Sequence, residues 1–164
     1  MKKLSIFLAC LAAMIGFTSC EQDRDPVLQT PTKFVLNTPA FQNQYYMLAP
    51  GNTFELTCSQ PDYGYSAVTQ YSAEVSLTED FAKYESLKTV TTSARMVLDD
   101  DDLAVALCKL HGFDNEETYQ DLPAGKIYLR AVAQLSGVDG SMIKSNPVAL
   151  NYVKFYFALP QAGY

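Results

Sequence analysis

The sequence has no tryptophan and a single histidine in 164 residues. One imidazole, His111, cannot build a histidine cluster for zinc. Without tryptophan the chain also lacks the largest flat platform on which a sugar ring can stack. Cysteines number four, at positions 10, 20, 58 and 108. They form no CxxC metal or redox pair and are too few for a disulfide scaffold. Basic residues are outnumbered 12 to 18, giving a formal net charge of −6, and no basic run offsets the deficit. Such a surface repels nucleic acid and anionic lipid. Nucleophile elbows, phosphate-cradling loops, nicotinamide fingerprints and paired carboxylates in a sugar-cleaving frame are all missing, so neither an enzyme nor a bound cofactor is expected. The chain carries no internal repeat.

The one long apolar run is at the N-terminus. Lys2 and Lys3 precede Leu4 to Phe17, in which only Ser5 has a polar side chain. As a helix this run spans about 21 Å, short of the roughly 30 Å hydrocarbon core, so it reads as a signal peptide over residues 1–19 and not as a membrane span. Phe17-Thr18-Ser19-Cys20 resembles a bacterial lipobox, with Phe17 departing from the usual aliphatic residue. Cys20 would then receive diacylglyceryl and acyl chains and hold the mature protein on a membrane without crossing it. Cys10 is removed with the signal. The acids Glu21, Asp23 and Asp25 follow at once. They resemble the surface-export signals of lipoproteins in polysaccharide-feeding Gram-negative bacteria, and residues 20–31 read as a lipidated acidic linker.

Beyond the linker, period two dominates. Phe54, Leu56 and Cys58 alternate with Thr53, Glu55, Thr57 and Ser59. Tyr71, Ala73, Val75 and Leu77 alternate with Ser72, Glu74 and Ser76, and Ile127, Leu129, Ala131, Ala133 and Leu135 with Tyr128, Arg130, Val132 and Gln134. These are half-buried antiparallel strands. Shorter strands are expected at 33–37, 87–91, 95–98 and 147–157, with Pro147 opening an edge strand. Turn signals at "APGN", "QPDYGY", "LPAG" and "GVDG" separate them. The spacing predicts an all-β, immunoglobulin/fibronectin III-like two-sheet sandwich of about seven strands over residues 32–157, followed by a tail at 158–164. One helix interrupts it. In "LDDDDLAVALCKLHGF", Leu103, Ala106, Leu107 and Leu110 share a face, acids occupy the first turn and Gly112 follows as a C-terminal cap.

Each candidate site has a plainer alternative. Asp99 to Asp102 are hard oxygen donors, but a calcium loop alternates its acids around a glycine turn, so an N-cap is the more economical reading. Cys108 and His111 are three apart on the helix without a third group to orient them, and the helical wheel sets Cys108 off the apolar face. Cys58 points inward as a small buried residue, and a disulfide between Cys58 and Cys108 stays open. Tyr63 and Tyr65, in "QPDYGY", are the candidate glycan-binding residues, because tyrosine faces pack on the C–H face of a pyranose. The plain alternative is that they cover core edges.

Taken in order, the lipobox, "CEQDRDPVLQTPTKFVLNTPAF", "TFELTCSQPDYGY", "YSAEVSLTEDF", "LAVALCKLHGF", "LPAGKIYLRAVAQL" and "SNPVALNY" resemble the N-terminal region of SusE-like outer-membrane lipoproteins. The resemblance runs to about Tyr156. It implies a place in a starch or glycan uptake system, as a non-catalytic sandwich that spaces starch-binding modules from the membrane, beside a porin-like transporter and its lipoprotein lid. In that family the binding aromatics lie in later modules, and the present sequence stops at "FALPQAGY". It is therefore expected to be either a fragment or a stand-alone spacer. Cys20 alone carries over residue by residue. Cys20→Ser should abolish the lipid mass increment and move the protein from the detergent phase to the aqueous phase. A variant that keeps the increment would sink this assignment.

Overall fold

The computed structural model describes residues 27–64 and 66–158. Its elements run β1 (Tyr45–Met47), β2 (Thr53–Thr57), β3 (Thr69–Ser76), β4 (Tyr84–Ser86), β5 (Arg95–Asp99), α1 (Asp100–His111), β6 (Gly125–Leu135), β7 (Ile143–Lys144) and β8 (Val148–Lys154). The large sheet has the order β1-β8-β6-β3-β4, with β7 also paired to β6, and β2-β5 form a second, two-stranded sheet. The fold is an all-β sandwich with one helix. Its two layers are unequal, and α1 continues straight from β5 to pack on β3, β4 and β5.

The alternating residues meet between the layers. Phe54 and Leu56 of β2, Met96 and Leu98 of β5, Tyr71, Ala73 and Val75 of β3, and the five inward residues of β6 from Ile127 to Leu135 are all buried. From α1 come Leu103, Ala104, Ala106, Leu107 and Leu110. Gly112 ends the helix at φ 77°, its N–H reaching the carbonyls of Cys108 and Lys109. A residue with a Cβ is strained at that φ.

Several expectations need correction. Residues 33–37 form no strand, only a bridge between Leu36 and Cys58, because much of their pairing is done by side chains. Ser59 Oγ accepts from Val35 N–H, and the Asn146 carboxamide accepts from Leu36 N–H (3.0 Å) and donates to Leu36 O (3.3 Å). Residues 87–91 form no strand either. The strand lies at 84–86, and Thr91 returns to bridge Tyr71. Pro147 does not open an edge strand. β8 lies between β6 and β1, and Pro147 sits in the break between β7 and β8, where its missing N–H interrupts no ladder.

The outward face of β3 is covered as well, against expectation. Glu74 and Ser76 are buried because the segment after β3 folds back over them. Ser76 Oγ donates to Lys83 O at 2.7 Å. Glu74 accepts from Arg130 Nε at 2.6 Å and from Lys144 Nζ at 2.9 Å. The Arg130 guanidinium lies 4.1 Å from the Phe81 ring centroid. A carboxylate taken out of water needs such partners. Phe81 itself, at φ 53°, is the non-glycine residue with positive φ among those described.

Asn146→Ala leaves both the amide and the carbonyl of Leu36 without their side-chain partner. It should lower the unfolding free energy by about 1–3 kcal/mol, read as a lower denaturant midpoint at unchanged slope. An unmoved midpoint would show that the N-terminal segment is held by other contacts.

Candidate functional site

Cys20 lies outside the described residues, as does Tyr65. The other candidate residues can be located.

The helix acids act as structural anchors, and the expected N-cap bond is not made. Asp99 occupies the N-cap position in an extended conformation with no side-chain capping bond. Asp100, fully buried, accepts from Tyr46 OH and Ala49 N–H, each at 3.0 Å. Asp101 accepts from Gly51 N–H and from Tyr156 OH, and Asp102 from Lys88 N–H. The first three helical residues thus tie down the β1–β2 connection, the chain after β4 and the chain after β8, where the helix dipole favours negative charge. Burial, followed by the bond to Asp100, pushes the Tyr46 phenol well above its usual range. Among the described residues no three His, Cys, Asp or Glu side chains gather as metal ligands. A hollow of about 520 Å³ does lie here, lined by Lys88, Asp101, Val105 and Tyr156 among others.

Cys108 is buried, contrary to its place on the helical wheel. The chain after β8 crosses that side of the helix. Cys108 Sγ lies 3.6 Å from Tyr156 O and 3.5 Å from Ala158 N. His111 turns elsewhere, stacking on Phe113 and Phe155 at 5.5 and 5.3 Å between centroids. Cys58 Sγ donates to Ala94 O, and both cysteines are free thiols.

Tyr63 is 3 % exposed. Both its faces are enclosed by protein, so it presents no open stacking platform. Its hydroxyl has no hydrogen-bond partner among the described residues. Leaving such a group unpaired costs on the order of 1–3 kcal/mol. Burial and the neighbouring Tyr71 raise its pKa. The loop around Tyr63 is shaped by Asp62, whose Oδ1 accepts from Gly64 N–H at 2.8 Å, an Asx-type turn. Two hollows of about 370 Å³ flank this loop. Gln60, Asp62, Tyr63, Ser66 and Thr69 are among the residues lining one, and Gln29, Thr30, Lys33, Gln60 and Asp62 line the other.

The N-terminal segment forms part of this arrangement, which sequence reasoning missed. Gln29 N–H donates to Tyr63 O at 2.9 Å. Gly64 has φ 85°, and a Cβ there would come within 2.9 Å of Val27 O and of Gln29 Cγ. Glycine is needed here both for the backbone conformation and for the close approach. The only local signal was the glycine in "PDYG".

The model of the SusE outer membrane protein family matches residues 21–130, about two thirds of the chain, and the chain belongs to that family. Membership places it with the outer-membrane proteins of starch-utilisation systems. No solved structure matches the chain. No helix among the described residues is long and apolar enough to cross a membrane.

Burial raises the Cys58 thiol from 9.0 to about 11 and raises Cys108 as well. The folded state therefore holds the Cys58 proton more tightly than the unfolded chain. The resulting stability is complete below about pH 9 and is lost as pH rises through about 11. Neither thiol should react with iodoacetamide at pH 8 until denaturant is added, since the thiolate is the nucleophile. Rapid labelling of either in the native protein would contradict the burial described.

Proposed function

We propose that the protein is an outer-membrane lipoprotein anchored through Cys20 and facing the cell exterior, whose sandwich spaces or docks the components of a glycan uptake system and performs no chemistry. Its partners would be the glycan transporter and the lipoproteins that serve it. The observation that carries this reading, beside family membership, is how the N-terminal segment joins the sandwich. Val35 and Leu36 are bonded to Ser59 and Asn146, and Gln29 to Tyr63. Among the described residues, the N-terminal segment is thereby bonded to the folded body at three points.

A second reading is that the sandwich itself binds starch or a related glycan through the loop bearing Tyr63 and Tyr65. The polar hollow beside Tyr63, lined by Gln60, Asp62, Ser66 and Thr69 among others, favours it. Because the Tyr63 ring and hydroxyl are both enclosed, contacts to a glycan would come from those neighbouring residues.

Protease treatment of intact cells tests the orientation. The sandwich should be digested while periplasmic markers survive, and cross-linking in such cells should capture the transporter. Protection that ends only when the outer membrane is broken would overturn the exterior assignment. A cross-linked product free of transporter would overturn the docking role.

A further inference from the structure

We infer that the end of the sandwich at which the chain arrives from Cys20 rests on the bilayer, with Val68, Val90 and Met142 entering the boundary between headgroups and acyl chains. This rests on the reading of Cys20 as the lipid anchor and adds the attitude in which the domain stands above it.

Half of the large apolar residues left exposed among those described gather at one end of the large sheet: Val27, Leu28, Val68, Val90 and Met142. Val68 comes just before β3, Met142 just before β7, and Val90 just before Thr91, which bridges Tyr71 of β3. The start of β3 pairs with the finish of β6, Thr69 opposite Leu135, and Ser136 N–H donates to Val68 O at 2.9 Å. Val90 and Met142 line one hollow and Val68 the next, with Tyr71 shared by both. Val27 and Leu28 adjoin them, since Val27 O lies against Gly64 and Gln29 is bonded to Tyr63 in the loop that leads to Val68. Single exposed apolar residues need no explanation, but a gathered set marks a contact surface. Val68, Val90 and Met142 are 60 %, 61 % and 52 % exposed. Their neighbours are chiefly amides and hydroxyls, and of the residues lining the two hollows Asp62 alone is charged. Lys88 and Asp139, in the flanking chain, offset one another. In a chain of net charge −6, the repulsion between an acidic protein and an anionic lipid surface is therefore weakest here.

The path of the chain says what covers this patch. Seven residues separate Cys20 from Val27, a reach of at most about 25 Å. That is less than the length of the 11-residue strand β6, at about 3.3 Å per residue. Of the two ends of the sheet, this one is therefore held beside the lipid. The other exposed patch, Tyr45, Met47 and Tyr152, lies toward the far end, where β6 begins. A few apolar side chains bind a bilayer weakly when the protein is free in solution. A short tether makes the same contact intramolecular, at an effective concentration on the order of millimolar. A weak contact is then enough to set how the domain stands.

The test uses the lipidated full chain in phosphatidylcholine vesicles whose acyl chains are partly brominated. A polarity-sensitive fluorophore is attached to a single thiol introduced by Val68→Cys, Met142→Cys, Ala67→Cys or Met47→Cys; Cys58 and Cys108 are buried and do not compete for the label. Once mass spectrometry has shown the lipid increment, the labels at positions 68 and 142 should shift to the blue and be quenched by the bromolipid, while the label at 47 stays in water. Val68→Ser, Val90→Ser and Met142→Ser combined, with the melting temperature checked, should lower quenching at position 67 to the level seen at 47. Labels at 68 and 142 that stay in water while the lipid increment is present would overturn the inference and leave this end free for a protein partner. Quenching at 67 unchanged by the three serines would show that the tether alone brings this end to the lipid, and would overturn the role of the apolar side chains. Equal quenching at 47 would overturn the fixed attitude. A missing lipid increment would instead overturn the anchor reading, and this inference with it.

Discussion

The fully buried carboxylate of Asp100 is the constraint around which the two layers are assembled. It lies where β5 passes into the helix, and its own N–H donates to Asn52 O at 3.0 Å while its oxygens hold Tyr46 and Ala49. One residue therefore joins the helix start to the connection between β1 and β2, and so joins the large sheet to the small one. Charge-assisted bonds in a dry interior are strong, and a buried charge stripped of its partners is correspondingly costly. The Tyr46 ring carries the effect further, since it packs on Phe41 and Phe54 on the inner side of β1. The helix can fill the place of missing strands in the smaller layer because its first turn is tied down in this way.

The inward residues of β2, β3 and β6 were legible because a strand with one apolar face must alternate. The helix was legible too, from its apolar spacing and from Gly112. What could not be read was anything fixed by contact at a distance. Glu74 and Ser76 have the pattern of a wet face and are buried by a later loop. Cys108 falls off the apolar stripe of the helix and is covered by chain that arrives some fifty residues on. A helical wheel describes one element, and burial here depends on a second.

Of the candidate loop, "QPDYGY" was legible as a turn bearing two tyrosines, and Asp62 does shape such a turn. The plainer alternative for Tyr63, that it covers a core edge, agrees with its burial. Gln29 and Thr30 looked like plain linker, and no local pattern announces that a linker will lie down on a loop. Asn146 is similarly silent in sequence, because an asparagine before a proline reads as a turn former and gives no hint that it stands in for a strand.

The sheet pairs its earliest strand with its last. β1 runs parallel to β8, and the carboxamide that receives Leu36 comes 110 residues later. Hairpins such as β3–β4 can form as soon as they exist, but β1 has no strand to join until β8, the last one, is present. Topologies dominated by such distant pairings fold slowly, because the loop must be closed before the contact is gained. Loss of β8 would therefore leave β1 without a strand to pair with and open one edge of β6.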